Sequence, residues 1–491
     1  MKRLTYSFAT LILLVVGVMT PISASATSTW GPLVDITSPT ANAAEMMTVS
    51  SPSGELASVW TQTQQIWVAI SSDNGTSWNT PVAIPGAVGA SSPNMVVSSS
   101  GVYTVAWNSG HQNYTSTSSD HGATWSTPVS FPLGGSCSGV LNMVTSSQST
   151  VNAFWTDCST SPSYYELWTR RSVDSGISWS SPTKISSPGS DSTDAELAVD
   201  AQGNLVAMWQ GSGSGNVWPM YVSRSINGGL TWSAPSEVSA LGTDVSRQKL
   251  IGIGSGKFIA TWAKFDGTNF EIQVLSSTDS GATWSQPQGI SVQGLSSYDP
   301  RITTNGTSEI TIGWRTLAAP VLIQVSTSSL TATSWTAPLT ISQGFDSPGN
   351  FHLTTDSNGN THALWTYTVA QGDEHVGETY SSSPQIVWSN PVDLISNVSG
   401  YEHLSLVSNP LGFVTASWLN DGSHTPGQSM TLVSPPYAPV PDPTPAQPTS
   451  ELANTGVNPD FLFVVTSSFV LIALGIRLKW HRKLKSHIHS N

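Results

Sequence analysis

Ser71-Ser72-Asp73-Asn74-Gly75-Thr76-Ser77-Trp78 is the stretch on which the reading of the chain turns, because its pattern, Ser-x-Asp-x-Gly-x-x-Trp, returns downstream. Ser118, Asp120, Gly122 and Trp125 form a second copy, Ser172, Asp174, Gly176 and Trp179 a third, and Ser277, Asp279, Gly281 and Trp284 another. Between these last two, the copy from Ser225 to Trp232 has Asn227 in the Asp position. A proline follows each tryptophan by three residues, at Pro81, Pro128, Pro182, Pro235 and Pro287. A short carboxylate at this place can accept backbone N–H bonds from its own turn, and Gly supplies the positive φ that other residues resist. Trp335 with Pro338 and Trp388 with Pro391 continue the series without the turn chemistry, the former with no Gly ahead of it.

Upstream runs a second tryptophan series: Trp60, Trp107, Trp155, Trp209, Trp262, Trp314, Trp365 and Trp418, at steps of 47, 48, 54, 53, 52, 51 and 53 residues. Each closes an alternating apolar run such as Leu205 to Trp209 or Phe258 to Trp262, the mark of a half-buried strand. Each unit therefore divides into four strands, which in the second unit are Met95 to Val97, Val102 to Trp107, Tyr114 to Ser118 and Thr124 to Ser130. Four short strands recurring about every 50 residues predict an all-β propeller. Eight strand-two tryptophans need eight outer strands, yet only seven follow them. The segment Ser28 to Ile36, with Trp30 and Pro32, has the composition of the missing one, so the N-terminus is expected to close an eight-bladed ring and leave no open edge. Seven blades with an irregular extra unit is the alternative.

The chain has 491 residues, 38% hydrophobic and only 10% charged, with 20 Trp, a composition unlike that of a disordered chain. Residues 27–455 hold 10 basic against 29 acidic side chains, a net charge of −19. Such a surface repels nucleic acid and anionic membranes, which excludes both as partners. Lys2 and Arg3, the apolar run Leu11 to Val18 and Ala24-Ser25-Ala26 read as an export signal over residues 1–26. The alternative, a membrane anchor, is disfavoured because the run is shorter than the ~20 residues a span needs. From Pro435 to Pro448 the chain alternates proline with small residues, an extended stalk roughly 40 Å long at ~3.1 Å per residue within the linker 435–451.

Leu452-Ala453-Asn454-Thr455-Gly456, an apolar stretch at 461–476 and a tail with Arg477, Lys479, Arg482, Lys483 and Lys485 together resemble a sortase sorting signal of Gram-positive surface proteins, with Ala453 where the commoner motif has Pro. The resemblance implies sortase as a processing partner, cleavage between Thr455 and Gly456, and covalent attachment of Thr455 to the cell wall. A retained transmembrane anchor at 461–476 is the alternative, and both tether the protein outside the cell.

The repeated turn resembles the Asp box, or BNR repeat, of sialidases and related secreted glycosidase-like propellers, over residues 27–434. The resemblance implies that Asp73, Asp120, Asp174, Asn227 and Asp279 are fold determinants at the periphery, away from the ligand face. Sialidases of this type grip a substrate carboxylate with three arginines, the first in a Phe-Arg-Ile-Pro motif ahead of the first Asp box. Here no arginine lies between Arg3 and Arg170, and the local match Asp299-Pro300-Arg301-Ile302-Thr303 falls after five boxes, so no catalytic residue is carried over.

A propeller's ligand face is built where strand one begins and strand two ends, which singles out Arg247, Arg301, Arg315, Tyr298, Asp299, Tyr401 and Glu402, with Lys249, His352 and His403 beside them. Convergence of Arg247, Arg301 and Arg315 would clamp a carboxylate, while solvated or ion-paired loop residues are the plainer expectation. His111, His352, His375, His403 and His424 lack metal-ligand spacing, and nothing calls for a metal or a cofactor. Cys137 and Cys158 flank strands one and two of the third unit, and an exported chain is exposed to oxidation, so a disulfide is expected. Three functions remain open: a surface module, expected to be monomeric, for a glycan or other extracellular ligand such as a protein; an exo-sialidase or related glycosidase; and a structural or adhesive surface protein.

Overall fold

The computed structural model describes residues 30–37, 43–110, 112–131, 139, 141–146, 149–158, 164–187, 191–212, 217–239, 244–345, 347–369, 374–382, 387–398, 401–420 and 428–434. The export segment, the stalk, the sorting signal, Cys137, His111 and His424 lie outside them. The chain divides after Pro439, and every described residue belongs to the first unit. Among the described residues there is no helix, and so none long and apolar enough to cross a membrane; the stretch 461–476 is not among them.

Eight antiparallel sheets follow one another along the chain, the main strands of the first seven in sequence order. In blade 2 these are Ala90–Val97, Tyr103–Ser109, Gln112–Ser118 and Val129–Phe131. Blade 7 carries two outer segments, Val387–Trp388 and Val392–Val398, both paired with Glu374–Ser382. The last sheet takes Tyr401–Ser408, Val414–Asn420 and Gln428–Ser434 from the C-terminal side and Val34–Asp35 from the N-terminus. Val34 sits opposite Thr431 and Asp35 opposite Met430, while Trp30 packs against the core of this blade. The expected eight-bladed ring closed by the N-terminal strand is the one observed.

The strand-two indoles hold the ring together. All eight are at most 1% exposed. Burying an indole removes about 200 Å² of apolar surface from water, on the order of 5 kcal/mol before ordering entropy is subtracted. They belong to eight apolar clusters, one at each junction between neighbouring blades. The junction of the first and last blades joins Trp60 and Met46 to Leu419, with Ile36 of the N-terminal segment. Polar contacts seal the same junction: the Asn409 amide donates to Asn74 Oδ1 at 2.8 Å and to the Gly54 carbonyl at 3.1 Å.

The repeated turn is a compact hydrogen-bonded unit. Ser71 Oγ donates to Asp73 Oδ1 at 2.8 Å and accepts from Gly75 N–H at 2.7 Å, while Ser77 donates its N–H to Asp73 Oδ1 at 2.9 Å and its hydroxyl to Oδ2 at 2.6 Å. The same scheme holds the turns of Asp120, Asp174 and Asp279, and Asn227 reproduces it with its amide. Glycine is required twice over in this turn. Gly281 has φ +79°, and a Cβ there would lie 2.6 Å from Val206 Cγ2 of the preceding blade, so the turn doubles as a contact between blades.

The sequence placed the fourth strand of blade 2 at Thr124 to Ser130, whereas the ladder occupies only Val129–Phe131. After the turn, Ser126 N–H bonds to the Thr117 carbonyl, then Pro128, lacking an N–H, interrupts the ladder until Val129. The turn before Trp335 lacks the carboxylate scheme, as expected: Ser329 Oγ meets Thr331 Oγ1 at 2.7 Å and Thr331 meets Thr333 at 3.1 Å, with Ala332 at φ +52°. A chain of hydroxyls there takes the place of the carboxylate.

Candidate functional site at the bulged mouth of the channel

The first strands of all eight blades surround a central channel. Its mouth on the side of the strand-one-to-two turns is a cavity of about 820 Å³, lined from Ser50 of the first blade round to Ser408 of the eighth. The opposite mouth, where strand one begins, is the one the sequence marked as the ligand face.

There the ladder between strands one and two is broken by a bulge in blades 1, 2, 4, 5, 6 and 8. In blades 4, 5 and 6 the bulged residues are Asp194, Arg247 and Asp299, with φ of 50°, 56° and 57°. Left-handed backbone at non-glycine residues is costly, and bulges re-aim side chains. Glu45 and Ser92 hold the same conformation in blades 1 and 2, both at φ 53°, so it is a repeated device of the blade, and blades 4, 5 and 6 are set apart by carrying a charge at three adjoining copies. Two residues on stand Glu196, Lys249 and Arg301, and the six charged groups line one cavity of about 440 Å³.

The charges within it are matched. Lys249 Nζ pairs with Glu196, and Arg301 Nη1 with Asp299 Oδ1 at 2.8 Å. Arg301 also donates from Nε to the Phe351 carbonyl at 3.2 Å, with its guanidinium 5.7 Å from the Phe351 ring centre. Arg247 donates from Nε to the Tyr298 hydroxyl at 3.2 Å. That bond, opposed in part by burial and aided by the fields of Asp299 and Asp194, raises its pKa further. His352 lies close by, and burial, with the positive field of Arg301, pushes its imidazole down to about 4, so it is uncharged at neutral pH.

Against the other side of the same three bulges lies a second cavity of about 410 Å³. Trp218, Phe265, Phe270 and Tyr298 form its walls, with Thr193 and Ser246 among its polar groups. Phe270 stands 4.9 Å from Tyr298, edge to face, and 5.0 Å from Phe265. Each bulge serves both cavities: Thr193, Ser246 and Tyr298 face the aromatic one, and the next residues, Asp194, Arg247 and Asp299, face the charged one.

Of the residues the sequence singled out, Arg247, Arg301, Tyr298 and Asp299 meet at this mouth. Arg315 does not, and the three arginines do not converge. Sitting one strand further out, Arg315 donates from Nη1 to the carbonyls of Gly349 at 2.7 Å and Pro348 at 3.2 Å, satisfying backbone of the loop that leads into blade 7. Tyr401 and Glu402 open the first strand of blade 8, but their side chains, like that of His403, lie outside the described residues. Asp194, Glu196 and the aromatic cavity went unmarked. The first two carried a readable signal, since Asp194-Ala195-Glu196, Arg247-Gln248-Lys249 and Asp299-Pro300-Arg301 repeat a charged-x-charged pattern at the blade period.

Cys158, at the end of strand two in blade 3, is disulfide-bonded; Cys137, the other cysteine of the chain, lies outside the described residues. Among the described residues no group of three or more His, Cys, Asp or Glu side chains is placed to hold a metal.

The chain matches no known family description, and no curated protein resembles it in sequence. Its fold is similar to that of solved proteins. An α-L-arabinanase of Penicillium chrysogenum, complexed with arabinobiose, aligns over 62% of this chain and 99% of its own at 12% identity and a TM-score of 0.40. The NanB sialidase of Streptococcus pneumoniae aligns over 82% and 94%, at 11% identity and 0.40. The polysaccharide lyase Uly1 aligns over 70% and 89%, at 10% identity and 0.47. At these identities and scores the likeness carries nothing about ligand or reaction.

Proposed function

We propose that the chain is an exported propeller of the Asp-box type, displayed at the cell surface through its C-terminal signal, whose bulged mouth binds an extracellular glycan. One observation carries this reading: the adjoining bulges of blades 4, 5 and 6 set a charged cavity and an aromatic one side by side. Charged side chains at the bulges of three neighbouring blades, with Asp194 and Arg247 exposed, present groups that a ligand can engage.

The alternative of an exo-sialidase or related glycosidase draws on the carboxylates and arginines that share the cavity. Against it, Arg301 is engaged by Asp299 and the Phe351 carbonyl, and Arg315 by loop carbonyls, which leaves no guanidinium trio for a substrate carboxylate. A glycan array probed with residues 27–434 tests the reading. Binding that is lost in Arg247→Ala supports it, and absence of glycan binding alongside capture of a protein ligand favours the adhesive alternative.

A further inference from the structure

The charged cavity is electrically balanced, and this bears on which glycans fit, an inference that rests on the glycan-binding reading above. Its three cations face three carboxylates. Two pairs are in direct contact, Lys249 with Glu196 and Arg301 with Asp299, and Arg247 lies in the fields of Asp194 and Asp299. His352 adds no charge at neutral pH, because burial and Arg301 hold its imidazole uncharged. An anionic sugar entering here must displace a carboxylate from its cation or sit beside three carboxylates. A hydroxyl group, which both donates and accepts, can bridge a carboxylate and the neighbouring cation without separating them.

Two side-chain oxygens of the cavity walls are buried without a partner. Gln248 lines the charged cavity and is 2% exposed; its amide nitrogen donates to the Asp194 carbonyl, while its Oε1 has no hydrogen-bond partner. Ser246 lines the aromatic cavity, and its buried Oγ is also unpartnered. Both atoms are fully covered, so the groups presented to a ligand are the exposed side chains of Asp194 and Arg247 and the charges paired beside them. The aromatic cavity supplies the complement: flat apolar ring faces, able to cover the C–H face of a second sugar, beside polar groups at its edge. Each cavity falls toward the small end of the ~300–1,000 Å³ usual for ligand sites, which suits one sugar ring apiece.

We infer that the two cavities are adjoining subsites for a neutral oligosaccharide, one ring hydrogen-bonded among the paired charges, the next laid on Trp218, Phe265, Phe270 and Tyr298. The bulges at 194, 247 and 299 form the wall that the ligand crosses.

The test is calorimetric titration of the full chain with matched probes: neutral tetrasaccharides of xylose, mannose, galactose, glucose and arabinose, against sialyllactose and tetragalacturonate. Expected is binding of at least one neutral probe, with Kd changing less than about twofold between 20 and 500 mM NaCl, because no net charge is matched across the interface. Phe265→Ala, at a partly exposed ring, and Trp218→Ala should each weaken the neutral tetrasaccharide by about tenfold while weakening the matching monosaccharide far less. Unchanged melting of both variants excludes misfolding. Binding of the acidic probes alone, or a steep salt dependence, overturns this inference and leaves the glycan-binding reading standing. Failure of every glycan on the array overturns both.

Discussion

The turn glycines offer the sharpest test of how the ring is held, because the structure contains its own control. Gly281 and Gly101 have nearly the same backbone, φ +79° and +80°. A Cβ at Gly101 would meet nothing within 4 Å, whereas at Gly281 it would lie 2.6 Å from Val206 Cγ2 in the preceding blade. Gly101→Ala therefore measures the conformational term by itself, about 1–2 kcal/mol for an L-residue in the left-handed region. Gly281→Ala adds overpacking against a methyl group with nowhere to go, since Val206 is fully buried, a further 1–3 kcal/mol or so. At roughly 2.1 cal/mol/K per residue, unfolding a ring of about 400 residues carries an entropy near 0.8 kcal/mol/K. The two variants should then lower Tm by about 1–2 °C and about 3–6 °C respectively. Scanning calorimetry of the propeller at neutral pH reads both shifts, and the shift caused by Gly281→Ala, measured against Val206→Ala alone, should shrink toward that of Gly101→Ala in a double-mutant cycle. Equal shifts for the two glycines, or no relief from Val206→Ala, would refute the claim that these turns dock blade on blade.

Other outcomes follow from the same geometry. The Asp120 carboxyl is held down at about 2 by the hydroxyl and N–H of Thr124 and by Ser118. Its contribution to stability is therefore present above the unfolded pKa near 3.8 and is lost as pH falls toward 2, so the stability gap between wild type and Asp120→Ala should close over that window in acid-unfolding curves. Trp209→Ala, which empties a fully buried indole site, should cost about 3–5 kcal/mol in denaturant unfolding. Opening the disulfide of Cys158 by Cys158→Ala should cost about 3 kcal/mol, as expected for a closed loop of this length, and an unchanged midpoint would place the bond outside the folded ring. Residues 27–434 should release no sialic acid from a fluorogenic substrate, and turnover abolished by Arg301→Ala would reinstate the glycosidase. Mass spectrometry of wall-released protein should find Thr455 as its last residue; an intact 461–476 segment would mean a retained anchor instead.

The ring was legible because its stabilising side chain recurs at a nearly fixed step: a tryptophan every fifty or so residues leaves few architectures open, and Trp30 beside Pro32 gave away the displaced outer strand. Strand ends were less legible. Trp125 and Pro128 continue an extended pattern that looks like ladder, while the chain makes one backbone bond at Ser126 and then loses the next to proline. The site was readable in part for the same reason that strands are, since alternation tells which residues share a face. Asp194 and Glu196, two residues apart, share a face on that rule; what alternation does not reveal is the bulge beside them, which the ladder shows as a register shift between Thr193 and Glu196. Arg315 shows the converse limit: its position was placed correctly, but a long side chain spends its donors on whichever carbonyls lack partners, and those belonged to the neighbouring loop.

The closure of the last blade has a mechanical corollary. Gln428–Ser434 is not an edge strand; it runs between Val34–Asp35 on one side, through two registered pairs, and Val414–Asn420 on the other, through seven. Tension applied at Ser434 is thus directed along a flanked ribbon, where bonds on both sides must slide together, rather than peeling from a free margin one bond at a time. A domain held against flow by its C-terminal end would resist tearing best with its final strand threaded in this way.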